Sequence, residues 1–221
     1  GTVATATQNS ITTATGLTVV GAGGTASSIA GIPFFSADNS IYTHNVSGTD
    51  DTASGNSAYG IAAMDAITTG DNNTAVGRSA LGANTTAGGN VAVGKDALTD
   101  NTTGAENVAV GENSLANNTT AAGNTAVGRG SMFTNTTGAN NVGIGFDALY
   151  ANTTGTRNIA IGRGAYDASD TENDNLAIGY EAMTTNTAGG IQNIAIGNYA
   201  LDGLTSGDSN VAIGYSAMSA T

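Results

Sequence analysis

The sequence predicts an all-β fold, a parallel β-solenoid or β-roll of ten coils. Three observations predict it: a fixed period, a strand-like pentapeptide within each period, and a composition dominated by small side chains. Aligned on Asn-x-Ala-x-Gly, copies begin at Asn56, Asn73, Asn90, Asn107, Asn124, Asn141, Asn158, Asn175, Asn193 and Asn210. Successive starts are 17 residues apart, with one interval of 18 between Asn175 and Asn193. So short a unit cannot hold a pair of packed helices, and its Val, Ile, Thr and Gly content opposes helix, so each copy reads as one coil. Stacked about 4.8 Å apart, ten coils make a rod of roughly 50 Å.

Numbered from the anchor, the unit is N-x-A-[VI]-G-x-x-[AS]-[LM]-x-x-N-T-T-G-x-x. Identical Asn side chains at position 1 are expected to hydrogen-bond from coil to coil, as amide ladders do. Residues alternate along a strand, so Val or Ile at positions 2 and 4 are expected to fill a thin core, with Ala at 3 and Gly at 5 facing the other way. Position 5 is glycine in every copy, as at Gly77, Gly94, Gly111, Gly128, Gly145, Gly162, Gly179, Gly197 and Gly214. A face that bare suggests a second backbone in close approach, either the opposite wall of the same coil or, the preferred expectation, another subunit. Positions 8 and 9 are expected to start a return strand, and N-T-T-G to turn the chain with its Gly at positive φ.

Residues 1–55 lack the period and are assigned as a non-repetitive, β-rich N-terminal spacer; residues 56–221 form the repeat domain. Copy one has Tyr59 at the aliphatic position and "AITTG" in place of the Asn turn, as expected of a transition or cap. A start at Gly1 rather than Met points to a piece of a longer protein.

Composition excludes several functions. Only 10% of residues are charged, and 17 acids against 5 bases give a net charge of −12, without the cation clusters that duplex nucleic acid requires. The absence of cysteine excludes disulfides and thiolate metal sites. No apolar run approaches the ~18 residues of a spanning helix, so no membrane insertion is expected of this segment. Five per cent aromatic residues and no Trp do not describe a bulky enzyme interior.

Searching for chemistry yields little. His44, the single histidine, can be drawn into a triad with Ser40 or Ser47 and Asp50, but nothing in the spacing supports it, and no catalytic residue or cofactor is expected. The V-G-x-G elements lack the following helix and the lysine of a phosphate loop. Asp167, Asp170, Glu172 and Asp174 gather four carboxylates in copy seven as a weak calcium candidate, although they do not pattern the 6 to 8 oxygens calcium takes. Arg78, Lys95, Arg129 and Arg163 all occupy position 6, and Asp96, Glu112, Asp147 and Glu181 lie at positions 6 and 7. Stacking is expected to turn them into a ribbon of ion pairs that sets register. Phe133 and Tyr150 at position 10, Phe146, Tyr180 and Tyr215 at position 6, and Tyr199 at position 7 suit subunit packing first and a carbohydrate-binding face second. Asn84, Asn101, Asn118, Asn135 and Asn152 each begin an Asn-Thr-Thr glycosylation sequon, which turn chemistry alone also explains.

The N-x-A-[VI]-G-x-x-[AS] core resembles the head repeats of trimeric autotransporter adhesins and is similar to repeats of bacteriophage tail fibres. The run "ATQNSITTATGLTVVGAGG" resembles a spacer common in phage fibres, which favours the phage resemblance. It implies a left-handed roll assembled as an intertwined or side-by-side homotrimer, in a virion tail fibre contributing to host attachment. The implied partners are other fibre or baseplate proteins and a bacterial surface glycan or protein receptor. The adhesin resemblance implies instead a bacterial surface protein, and a polysaccharide-degrading spike is the remaining, weaker expectation. The N-T-T-G arm makes this unit longer than that of the adhesins.

Overall fold

A computed structural model describes residues 27–29, 32–37, 40–42, 52–168, 170–185 and 189–219. His44, Ser47, Asp50 and the spacer upstream of residue 27 lie outside the described residues. The described chain contains no helix and builds one 13-stranded sheet whose spatial order is the sequence order. Three strands come first: β1 (Ser27–Ile29), β2 (Ile32–Ala37) and β3 (Ser40–Tyr42). They pair antiparallel with one another, and β3 then pairs parallel with the first repeat strand.

From there ten strands of three residues, β4 (Ser57–Tyr59) through β13 (Val211–Ile213), run parallel with every strand position in register, as in Ala75↔Ala92 and Ala92↔Ala109. They form a β-solenoid in which each strand comprises positions 2 to 4. A parallel neighbour needs a long return connection, and here the remaining fourteen residues of the unit supply it without a helix.

The inward face is the opposite of the expected one. Ala75, Ala92, Ala109, Ala126, Ala160, Ala177 and Ala195 at position 3 are fully buried, whereas Val and Ile at positions 2 and 4 point outward and stay partly exposed. Opposite the sheet, position 9 contributes Leu81, Leu98, Leu115, Met132, Leu149, Tyr166, Met183 and Leu201, all buried, with Ala or Ser of position 8 beside them. The coil is so thin that one Leu from the far wall fills it, and only a methyl group fits on the strand side. The close backbone neighbour is thus the same chain. Where position 8 is Ser131, its hydroxyl donates to the Gly143 carbonyl at 2.8 Å, and a Cβ at Gly143 would lie 2.7 Å from the hydroxyl oxygen; Ser114 makes the same bond to the Ala126 carbonyl, so the serine alone does not require the glycine.

Positions 8 and 9 do not start a strand. Around them φ is left-handed at positions 7 and 9, as at Asp96 (56°) and Leu98 (50°), although neither is glycine. Alternating φ aims successive amides up and down the rod: Asp96 N–H donates to Arg78 O in the preceding coil at 2.8 Å, and Leu98 N–H to Ser114 O in the next at 3.0 Å. Coil-to-coil hydrogen bonds therefore offset the ~1–2 kcal/mol cost of each left-handed residue. Nor does the Gly of N-T-T-G take positive φ. That conformation falls at the residue before each anchor, as at Asn72, Glu106, Asn140, Arg157 and Asp174. The extra residue of copy eight is absorbed in the arm: Asn175 Nδ2 reaches the Gly190 carbonyl fifteen residues on, where other copies span fourteen, and the flanking strands keep register.

Candidate functional site

Inside the coils run two amide ladders. At position 1 the Oδ1 of each Asn accepts the backbone N–H of the next anchor, as from Asn124 to Asn107 at 2.9 Å, and its Nδ2 donates to the position 15 carbonyl of its own coil, as from Asn107 to Ala121 at 2.8 Å. At position 12, Asn101, Asn118, Asn135 and Asn152 each donate Nδ2 to the Oδ1 of the preceding Asn, at 2.7–3.3 Å. Asn84 to Asn152 are completely buried with Nδ2 engaged, so the sequons offer the folded rod no attachment point. Ile67 closes this second ladder at one end; at the other, Asn152 Oδ1 is buried without a hydrogen-bond partner among the described residues.

The sheet's outer face is the first candidate surface. Positions 2 and 4 stack into two aliphatic columns, with Val76, Val110 and Ile144 exposed by 40%, 36% and 37%. Ten rungs of about 4.8 Å make a strip on the order of 500 Å², as large as the largest apolar patch on a typical monomer, ~300–600 Å².

Around the corner, positions 6 and 7 hold the expected ion pairs between successive coils. Arg78 meets Asp96 at 3.2 Å, Lys95 meets Glu112 at 3.1 Å, Arg129 meets Glu112 at 3.7 Å and Arg163 meets Glu181 at 3.3 Å. Asp147 has no such partner among the described residues. Beyond Glu112 the column turns aromatic: the Arg129 and Arg163 guanidinium groups lie 5.4 and 5.6 Å from the Phe146 ring centre, and Tyr180, Tyr199 and Tyr215 follow edge to face. Replacing Arg78, Arg129 and Arg163 together by Gln is expected to lower the melting temperature slightly at low salt, under about 1 kcal/mol per pair, with the difference vanishing at high salt. Melting curves by circular dichroism at two salt concentrations check this.

In copy seven three of the four carboxylates are engaged separately. Asp174 takes both Arg157 Nε (2.6 Å) and Nη2 (2.8 Å); Glu172 is buried and accepts the amides of Asp170, Thr171 and Gly189; Asp170 accepts the Thr153 hydroxyl. No group of three metal-ligating side chains assembles among the described residues. The Arg157 hydrogen bonds hold the Asp174 carboxyl below its usual range, while burial pushes Asp167 up. Asp174 thus contributes stability above the ordinary carboxylate pKa and loses it as pH falls through its own, lower value. Hydrogen bonds to Glu112 and Asp96 raise Lys95.

A notch in the rod's side, spanning coils four to six, is lined by Asn113, Arg129, Gly130, Phe133, Asp147 and Tyr150. Sequence reasoning singled out its aromatic and charged residues but not Gly130, whose signal was a bare residue in a column that carries a side chain in every other copy except at Gly164 of copy seven. Compared with known proteins, the chain matches no family model, no curated protein and no solved structure.

Proposed function

We propose that this chain is a non-enzymatic, rigid fibre segment that associates through its Val/Ile sheet face into a homotrimer and presents its side columns for attachment to a surface. The exposed aliphatic strip carries the reading, because a face of that area on a soluble rod is stabilised by being covered. A second copy of the same chain supplies an equally long, equally flat, uncharged strip. Three copies and a left-handed coil come from the resemblance to adhesin heads and tail fibres, as does the setting: a virion tail fibre contacting a bacterial host, with a bacterial surface adhesin as the alternative.

Light scattering on the chain is expected to give three times 21.5 kDa. Val76→Lys, Val110→Lys and Ile144→Lys together, on alternate rungs of one column, are expected to give a folded monomer, since each buried cation in a trimer would lack a partner. A folded wild-type monomer would defeat the reading. Release of fragments from host capsule or lipopolysaccharide would instead favour a polysaccharide-cleaving spike.

A further inference from the structure

The notch of coils four to six is not explained by the coil's own stability. Its column at position 7 is Asn113, Gly130, Asp147, so the absent side chain at Gly130 leaves a gap between an amide and a carboxylate. The gap measures about 210 Å³. Gly130 is left-handed (φ 68°), and a Cβ there would run into Asp147 Oδ1. To one side Phe133 and Tyr150 stack with ring centres 5.4 Å apart and planes 11° apart, forming one apolar step rather than two independent rings. The preceding coil carries only Ala116 in their column. The Tyr150 segment is pinned by the Thr134 hydroxyl, which donates to its carbonyl at 2.6 Å.

We propose that this notch binds a single neutral pyranose ring of a glycan. A pyranose presents C–H groups on its faces and hydroxyls around its edge. The Phe133–Tyr150 step offers apolar aromatic surface to the former. Asp147 accepts, Arg129 donates and Asn113 does both, which matches hydroxyls that themselves donate and accept. One cation and one anion in the lining favour a neutral ring over a charged one. The volume is below the ~300–1,000 Å³ of pockets that enclose a drug-sized ligand, so the notch takes one unit of a longer chain. It lies on the column of positions 6, 7 and 10, away from the Val/Ile face. The chemistry stands without the trimer; only the source of the glycan, a surface to which the fibre attaches, rests on the function proposed above.

Saturation-transfer NMR on the full chain, with methyl glycosides of glucose, galactose, mannose and N-acetylglucosamine as probes, tests it. Transfer to the ring C–H protons of at least one glycoside is expected with the wild type. Tyr150→Ala, which copies the Ala116 of coil four, is expected to weaken it about tenfold or more, a shift of ~1.4 kcal/mol. Gly130→Asn is expected to abolish it: Asn113 already occupies this column at φ 58°, so the backbone accepts the side chain, which fills the notch and pushes the Asp147 carboxylate aside. An unchanged melting curve for Gly130→Asn separates loss of the notch from loss of the fold. Tyr199→Ala, elsewhere on the rod, is expected to bind as the wild type does. Absence of transfer from all four glycosides, or transfer that survives Gly130→Asn, overturns the proposal. Neither outcome changes the mass read by light scattering, so this site and the trimer fail separately.

Discussion

Gly111→Ala is expected to destabilise the rod by about 2–6 kcal/mol, an effect shared with the equivalent glycine of each neighbouring coil. Two costs add. At φ 137° the residue sits where an L side chain is strained by about 1–3 kcal/mol. The new Cβ would also lie 2.5 Å from the carbonyl oxygen of Gly128 and 2.6 Å from its carbon, both backbone atoms of the next coil. Relief requires the two coils to separate, which breaks the neighbouring strand hydrogen bonds; overpacking of this kind costs ~1–3 kcal/mol. Gly82→Ala is the contrast. Its φ is ordinary and the nearest atom stands 3.2 Å from the added Cβ, so a change within about 0.5 kcal/mol is expected. Urea unfolding followed by circular dichroism distinguishes the two; equal midpoints would show that coil spacing is not what requires the glycine.

Asn107→Leu is expected to cost about 2–4 kcal/mol despite adding apolar volume to a buried position. Its Oδ1 accepts Asn124 N–H and its Nδ2 donates to Ala121 O. The carbonyl keeps a second donor, Asn118 Nδ2 at 3.0 Å, but the amide has no substitute. A buried orphan N–H costs ~1–3 kcal/mol beyond the lost bond. Asn107→Asp is more diagnostic. Ionised, it would bury a charge and lose a donor, so the variant should be less stable at neutral pH than in acid, where the protonated carboxyl is neutral and donates again. Unfolding measured at the two pH values checks the order, and a pH-independent difference would mean the amide's role is steric.

The period, the parallel strands and their register were legible because they follow from counting: a 17-residue interval in nearly every copy leaves one way to stack. Which face turned inward was not, because alternation defines two faces without saying which is buried, and transfer free energy alone sends Val in and Ala out. Volume decided otherwise, with Leu98 and its counterparts filling the coil from the far side. The missed signal was tolerance. Position 2 accepts Ser57, Thr74 and Thr125, and position 4 accepts Tyr59, as outward sites do, whereas position 3 never exceeds a methyl group. Position 12 taught the same lesson in reverse. Its Asn residues looked like turn formers, yet Ile67 and Leu204 replace them in the same column, and apolar replacements mark an interior site. The notch was half legible: its rings and charges stood out, but their convergence on Gly130 depends on which columns lie side by side across three coils.

The arm that absorbs one extra residue between Asn175 and Gly190 leaves the strands on either side undisturbed. Inserting or deleting residues there changes the girth of one coil. Duplicating or losing a whole copy changes the number of rungs, moving everything beyond it by about 4.8 Å along the axis. Width and length are therefore separately heritable in this molecule, and a lineage can lengthen its reach by unequal recombination between repeats without redesigning a single contact.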